Sequence, residues 1–479
     1  MKIYRLTISL ILMLLVMYSC RKDQWDKREL VTDTSGTETL LDLIKADTGL
    51  SEFAKYLEKT GYDKTVASSK TFTVWAPDNE AFRAVDPGYL EDSTSLKLMI
   101  GNCIANQTFY TKEAKDSAIR IRTYSGKRVL FTGDSLNDIA LIKKDIHAKN
   151  GVLFTMGSAF KPQDNAFEYL RDNYSNSLLF GYLKTLFYSS NIDSLYRDSL
   201  KTANAIIPSL NTYMRKVNIN SEDSLMTYII LTDQAYKTEM FKLASYFMDS
   251  TLEISDSLRG WNIVKDLAIN GVYEPGSIPN TLYSTKDSLA IHLNSSQIVK
   301  SVKVSNGIVY VVNSLDYDLA TKIKPVTIEG ERFFDRLDNT KSYSIRKRRD
   351  PSTDSIFHDL LIENFGISSY WVRYPVTLNA VTYKVYWRAV NDFQTGTFPM
   401  MLALNHHIDT AFADPKNIPF DFTLPYTNVD LLNYNDVYIG EFTPAKHGLE
   451  DLFLIGNNVT SNGKNTIVCD YIKLVPVLN

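Results

Sequence analysis

One strand–turn–helix pattern is written into this chain twice, and a duplicated pattern restricts the fold more than any other feature of the sequence. In the first copy Phe72-Thr73-Val74-Trp75-Ala76 alternates as a strand, and Pro77, which has no N–H to give to a ladder, stops it. Asp78 follows as a helix N-cap, with Glu80 and Phe82 in the helix it starts. Upstream, Leu50, Phe53, Ala54 and Leu57 recur at helical spacing until Gly61. Downstream, Ile139 to Ile146 reads as a strand, and Asn150-Gly151 is a tight-turn dipeptide leading into Val152 to Met156. In the second copy Thr227-Tyr228-Ile229-Ile230-Leu231-Thr232-Asp233-Gln234-Ala235-Tyr236 repeats the first piece, and Ser305-Asn306-Gly307-Ile308-Val309-Tyr310-Val311-Val312 repeats the second. Phe82 and Tyr236 stand 154 positions apart and Asn150 and Asn306 stand 156 apart, a single period to within two residues.

Thr71 to Phe82 resembles the first signature box of the fasciclin family, and Asp145-Ile146-His147-Ala148-Lys149-Asn150-Gly151-Val152-Leu153-Phe154 resembles the second. The resemblance covers about residues 37–162 and implies an α/β (α+β) wedge whose common role is adhesion or ligand binding without catalysis. The second copy, residues 163–325, departs from it at Leu231, which stands where Pro77 stands, and in a polar insertion around Ser189 to Ser224. It is expected to keep the fold rather than a ligand surface.

The N-terminus reads as an export signal, with Lys2 and Arg5 before an apolar run from Leu6 to Tyr18. That run is shorter than the ~20 residues of a membrane-crossing helix, and it ends at Ser19-Cys20 before the charged stretch Arg21-Lys22-Asp23. It resembles a bacterial lipoprotein signal of the Bacteroidetes type, with Met17 where such signals usually carry Leu. The resemblance implies removal of residues 1–19, acylation of Cys20, and outer-membrane anchoring through that lipid. Residues 20–36 would then form a polar tether of ~50 Å contour length. Only Cys103 and Cys469 remain, in different domains, so no disulfide framework is expected. A net charge of −3, from 52 basic against 55 acidic residues, argues against general nucleic-acid binding.

From Val326 to Asn479 the pattern changes to short alternating strands, which predicts an all-β sandwich. Tyr383, Val385, Trp387 and Ala389 line one face of a strand and Lys384, Tyr386 and Arg388 the other, so Trp387 belongs to the core. The final strand is expected over Ile467 to Val477. Ile328-Glu329-Gly330-Glu331, Tyr370 to Val376, Tyr383 to Ala389 and Cys469 to Val477 together resemble the galactose-binding-like jelly rolls of carbohydrate-binding modules. The predicted architecture is therefore multidomain: two fasciclin-like domains followed by a jelly-roll sandwich.

Glycan binding needs an aromatic face to stack on sugar C–H groups, with amides or carboxylates beside it for the hydroxyls. Tyr370 and Trp371 sit at a strand entrance, and Val372, Tyr374 and Val376 take the inward face of that strand, which leaves Trp371 more open; this pair is the expected platform, with Asn457 and Asn458 in the loop before the last strand as polar partners. Tyr426, Tyr434 and Tyr438 lie in or beside polar loops. The jelly-roll resemblance also implies a structural calcium held by Glu329, Glu331 and Asp470, hard oxygen donors of the kind Ca²⁺ prefers. His406 and His407 point to opposite sides of a strand and are not expected to share a metal, and the basic run Arg346 to Arg349 is expected to be a solvated loop. A phosphate-binding glycine loop and a nucleophile elbow are both missing, so the expected protein is not an enzyme. The function these features predict is capture of an extracellular polysaccharide or oligosaccharide, accessory to a TonB-dependent importer of the starch-utilisation type. Cell adhesion or scaffolding through the fasciclin-like pair is the alternative.

Overall fold

The computed structural model describes residues 37–186, 211–407, 412, 414–457 and 465–478. Cys20, the tether and Asn458 lie outside the described residues. The chain divides into two compact units, one ending at Asp164 and the other beginning at Asn165.

In the first unit the strands Phe72–Pro77 and Gly151–Met156 run parallel, with Phe72 opposite Gly151 and Pro77 opposite Met156. They lie inside a seven-stranded sheet, and every residue of both is buried. Both faces are therefore covered, as is usual for parallel strands. Phe72, Val74 and Ala76 pack with the helices Leu40–Ala46, Ser51–Thr60 and Ser93–Asn102, while Trp75, Val152 and Phe154 pack on the other side against Ile121, Val129 and Phe131. Full burial of a side chain of this size contributes ~1.5–3 kcal/mol. The helix expected around Leu50 to Leu57 is Ser51–Thr60, ended by Gly61. The cap expected at Asp78 is present, its carboxylate accepting from Ala81 N at 2.8 Å.

The junction before Gly151–Met156 is built by Asn150. Its amide donates to Val66 O (2.7 Å) and Ser68 O (2.8 Å), and its carbonyl accepts from Leu40 N (2.8 Å), the first residue of a helix. Asn306 in the second unit repeats all three bonds, donating to Ile219 O (2.9 Å) and Ser221 O (3.0 Å) and accepting from Ala166 N (2.9 Å), again the first residue of a helix. Thr73 and Thr227 form a second matching pair, each buried and each bonded to the chain that follows the adjacent edge strand. The second parallel pair, Met226–Leu231 with Gly307–Val312, completes the duplication, and Thr232 caps Asp233–Lys242 as Asp78 caps its helix. Leu231 in place of Pro77 changes none of this, because an N–H at a strand end is easily satisfied.

From Val326 onward every regular element among the described residues is a strand. A four-stranded sheet runs Val326–Glu329, Tyr471–Pro476, Tyr383–Arg388, Val437–Phe442. A six-stranded sheet is centred on Trp371–Leu378, Gly448–Gly456 and Phe398–His406, and Ser344–Arg349, Ile356–Glu363 and Thr466–Cys469 form a third. Trp387 is buried in the core, on the face the alternation assigns it. The expected final strand is two strands, Thr466–Cys469 and Tyr471–Pro476, which belong to different sheets and part at Asp470. The basic run is not a loop. It forms the strand Ser344–Arg349, in which Arg346 bonds Asp359 (Nε to Oδ1, 2.8 Å) and both Arg346 and Arg348 pair with the buried Asp392.

The boundary expected at Val326 does not separate compact units. Buried side chains from Ala166 to Ile323 and from Leu360 to Leu474 belong to one continuous hydrophobic core. Ala380 N donates to Tyr246 O (3.0 Å), and the His447 ring meets the Phe247 ring edge-on at 5.2 Å. Cys103 and Cys469 are free and buried, and burial pushes the Cys103 thiol up to about 12. No helix among the described residues is long and apolar enough to cross a membrane.

Candidate functional site

The aromatic pair expected as the platform is covered. Trp371 is 3% exposed and Tyr370 fully buried. Their strand sits between Asp335–Arg336 and Gly448–Gly456, so alternation puts Val372, Tyr374 and Val376 in the main core and Trp371 on the opposite face. That opposite face is not open to solvent. Ile418 and Phe453 pack with Trp371 in a small second core, with Phe412 and Phe420 against it, and the indole N–H donates to Pro415 O at 2.7 Å. Tyr370 stacks on Phe365 at 4.7 Å and donates its hydroxyl to Asp338 O at 2.9 Å. Neither ring offers a face to a sugar. Asn457 is half-buried.

An exposed aromatic surface exists on the four-stranded sheet instead. Tyr386 is paired with Tyr438 on one side and Lys473 on the other, and Arg388 with Tyr471. Their neighbours in sequence, Val385, Trp387, Ile439 and Ile472, point into the core, so Tyr386, Tyr438, Tyr471 and Lys473 share the solvent face. A bulge between Val385 and Tyr386 sets Gly440 and Tyr438 against those two residues and keeps both tyrosines on that face. The Tyr386 and Tyr438 rings lie 5.5 Å apart at 58°, and Tyr438 is 50% exposed. Asp436 supplies the polar edge, accepting from the Tyr471 hydroxyl and pairing with Lys473 Nζ at 3.2 Å. Burial, and then the Asp436 carboxylate, hold the Tyr471 hydroxyl above the ordinary phenol range, so it remains a donor. Two tilted rings with a carboxylate, an ammonium and a phenol beside them have the chemistry of a sugar platform.

The carboxylates expected to hold calcium flank one backbone contact. Glu329 is paired with Tyr471, and Gly330 N donates to Asp470 O at 2.6 Å. A Cβ at Gly330 would lie 2.1 Å from Cys469 O, so only glycine permits this approach. Glu331 Oε2 and Asp470 Oδ2 are both buried without a hydrogen-bond partner, although Arg388 Nη1 stands 3.2 Å from the latter. Burial pushes the Asp470 carboxyl up to about 7; Arg388 opposes that rise, and Glu329, Asp359 and Glu331 add to it. Among the described residues no group of three His, Cys, Asp or Glu side chains is arranged to hold a metal ion. The donor chemistry therefore suits a hard cation, while the side chains are not converged on one point. His406 and His407 separate as adjacent strand residues do, the first towards Glu450 (3.5 Å) and the second onto Asp451 (2.8 Å).

Tyr386 was legible as outward-facing from the alternation around Trp387. Tyr471 was not, because its orientation depends on the break at Asp470.

Residues 48–162 match the family model described as the fasciclin domain. The transforming growth factor-beta-induced protein ig-h3 of Oryctolagus cuniculus is 25% identical over 162 residues, which is 31% of this chain and 23% of that protein. The chain thus spans less than a quarter of that curated relative's length. Among solved structures, a FAS1 domain pair from the insect cell adhesion molecule fasciclin I covers 57% of this chain and 99% of its own, at 14% identity and a TM-score of 0.24. A carbohydrate-binding module, CBM36, in complex with calcium and xylotriose covers 31% and 98%, at 13% identity and a TM-score of 0.21. The chain carries an N-terminal fasciclin domain at residues 48–162, followed by a large sheet-rich region that ends in a β-sandwich.

Proposed function

We propose that this protein captures an extracellular polysaccharide or oligosaccharide on the exposed tyrosine face of its C-terminal sandwich, and that it binds without catalysis. The paired, solvent-facing rings of Tyr386 and Tyr438 beside Asp436 and Lys473 carry this reading. Affinity electrophoresis of the full chain through a panel of polysaccharides tests it. One neutral glycan should retard the protein, and Tyr386→Ala with Tyr438→Ala should remove ~2 kcal/mol of binding, or roughly 30-fold in affinity. Retardation that survives both substitutions would place the ligand elsewhere, and release of new reducing ends would contradict a purely binding role.

Lipid attachment at Cys20, display on the outer membrane and service to a TonB-dependent importer complete the proposal. They are supported by the charged and apolar run before Cys20 and the charged stretch after it. Mass spectrometry of the envelope fraction should find an acylated N-terminal cysteine, and Cys20→Ala should send the protein to the soluble fraction. An unmodified chain at Cys20 would overturn the anchor.

A calcium ion is proposed at the corner formed by Glu329, Glu331 and Asp470, supported by the buried Glu331 Oε2 and Asp470 Oδ2, neither of which accepts a hydrogen bond. Such an ion would neutralise buried negative charge and tie the first strand of the sandwich to the last. At calcium a hundredfold above its dissociation constant the gain is ~2.7 kcal/mol, a rise of roughly 4 °C in Tm for a unit of this size. Identical melting in calcium and in chelator would sink the assignment.

Adhesion through a protein partner is the second reading. It draws on the exposed apolar side chains Phe241, Leu252 and Ile254 on the helices Asp233–Lys242 and Leu252–Val264 and Met248 in the segment between them. Cell attachment that is lost with Phe241→Ser and Leu252→Ser but kept with Tyr386→Ala would favour it, and the reverse outcome would exclude it.

A further inference from the structure

We infer that the contact between the second copy and the sandwich is an acid-sensitive latch, closed at neutral pH and released by protonation of His447. His447 sits in the turn between the strands Val437–Phe442 and Gly448–Gly456 and touches the second copy twice. Its backbone N–H donates to Met248 O at 2.6 Å, and its ring meets the Phe247 ring edge-on at 5.2 Å. On the sandwich side Nδ1 lies 3.0 Å from Asn379 Oδ1, which fixes the ring against Phe247. The other backbone bond across the joint runs from Ala380 N to Tyr246 O at 3.0 Å. Both bonds end on one short segment, Tyr246 to Met248, in the connection after the helix Asp233–Lys242. Tyr246 and Phe247 are buried in the shared core, so packing holds the segment as well as hydrogen bonds do.

The imidazole is the titratable group at the centre of this joint, and it is half-buried there. A neutral ring loses little by facing Phe247, whereas an imidazolium loses part of its water. Burial accordingly holds the His447 imidazole below the ordinary histidine range; Asp249 and a hydrogen bond to the Leu378 backbone oppose the fall, and Lys265 adds to it. Lys265 is itself paired with Asp287 at 2.7 Å, and the preceding residue, Lys446, acts on Asp249 as His447 does. Asn379 and Leu378, at the end of the strand Trp371–Leu378, present neutral acceptors. In the closed latch the ring therefore binds a proton less readily than a histidine in water, whose midpoint is ~6.5. The closed form is favoured above that value, and the preference is lost as pH falls below it, because the open form takes up the proton first. Between the two midpoints the open form carries one proton more, so opening should rise roughly tenfold for each pH unit. Tyr386, Tyr438 and Asp436 make none of these contacts, so release changes how the sandwich is held rather than what it binds.

Hydrogen exchange of the full chain over roughly pH 5–8, corrected for the intrinsic pH dependence of amide exchange, tests the latch. Protection of the Ala380 and His447 amides, the two that donate across the joint, should fall as the pH is lowered through that range. Amides of the strand Phe72–Pro77, in the first unit, should keep theirs. His447→Gln retains a hydrogen-bonding side chain that takes up no proton, and it should abolish the pH dependence of Ala380 protection. Asp249→Asn removes the carboxylate that favours the charged ring, so the closed form protonates at still lower pH and the loss should deepen at the acid end. That variant leaves the bonds across the joint in place and gives the answer if His447→Gln does not fold. Ala380 protection that is constant with pH in the native chain, a fall of equal size in His447→Gln, or an acid loss that Asp249→Asn fails to deepen would each overturn the latch.

Discussion

Gly151→Ala is expected to unfold the first unit or to cost it about 3–5 kcal/mol, while the melting of the second unit stays as it was. Gly151 has a φ of +151°, and a Cβ there would sit 2.0 Å from Phe72 O, a backbone atom of the neighbouring parallel strand. Neither partner can retreat, because both strands are buried on both faces. Gly307 repeats the arrangement at φ +147°, with 1.8 Å to Met226 O. Gly307→Ala should therefore do to the second unit what Gly151→Ala does to the first. The asparagines beside them gauge the same junctions. Asn150→Ala and Asn306→Ala each remove three hydrogen bonds to buried or half-buried backbone, at ~1 kcal/mol or more apiece. Scanning calorimetry on the four single variants reads the outcome, with the units melting as separate transitions. A Gly151→Ala protein that melts like the native chain would mean that the strands are not in this register.

The second large effect is expected at Asp451. This residue is fully buried on the strand Gly448–Gly456, where it accepts from Arg373 Nη1 at 3.3 Å and meets His407 Nδ1 at 2.8 Å. Arg373 is itself buried and reaches Asp335 at 3.4 Å, with the Phe334 ring 4.9 Å from its guanidinium carbon. Removing one member of a buried pair strands the other charge, which costs ~3–5 kcal/mol. Asp451→Leu should therefore destabilise the second unit by about that much in urea unfolding. Asp451→Leu with Arg373→Met should recover much of the loss, since a matched apolar pair leaves no buried charge. Equal stability of the single and double variants would show that the pair is not the source of the cost.

Much of the architecture was legible because it is local. Pro77 and Asp78 mark a strand end and a helix cap whatever surrounds them, and Asn-Gly pairs 156 residues apart announce the same turn twice. Alternation around Trp387 separated a core face from a tyrosine-bearing face correctly. The same reasoning failed at Trp371. Alternation says which residues share a face, yet whether that face meets water depends on Pro415, Ile418 and Phe420, more than forty residues further along the chain. Tyr471 was hidden for a related reason. A single run of strand residues is divided between two sheets at Asp470, and the division follows from the close approach of Gly330 to Cys469.

The sequence by itself determined the elements, their caps and turns and the duplication, because these depend on backbone conformations and side-chain periods set within a few residues. Tertiary structure decided which faces are covered, that the second copy and the sandwich share one core, and where charges gather, because burial and electrostatics depend on distances across the folded chain.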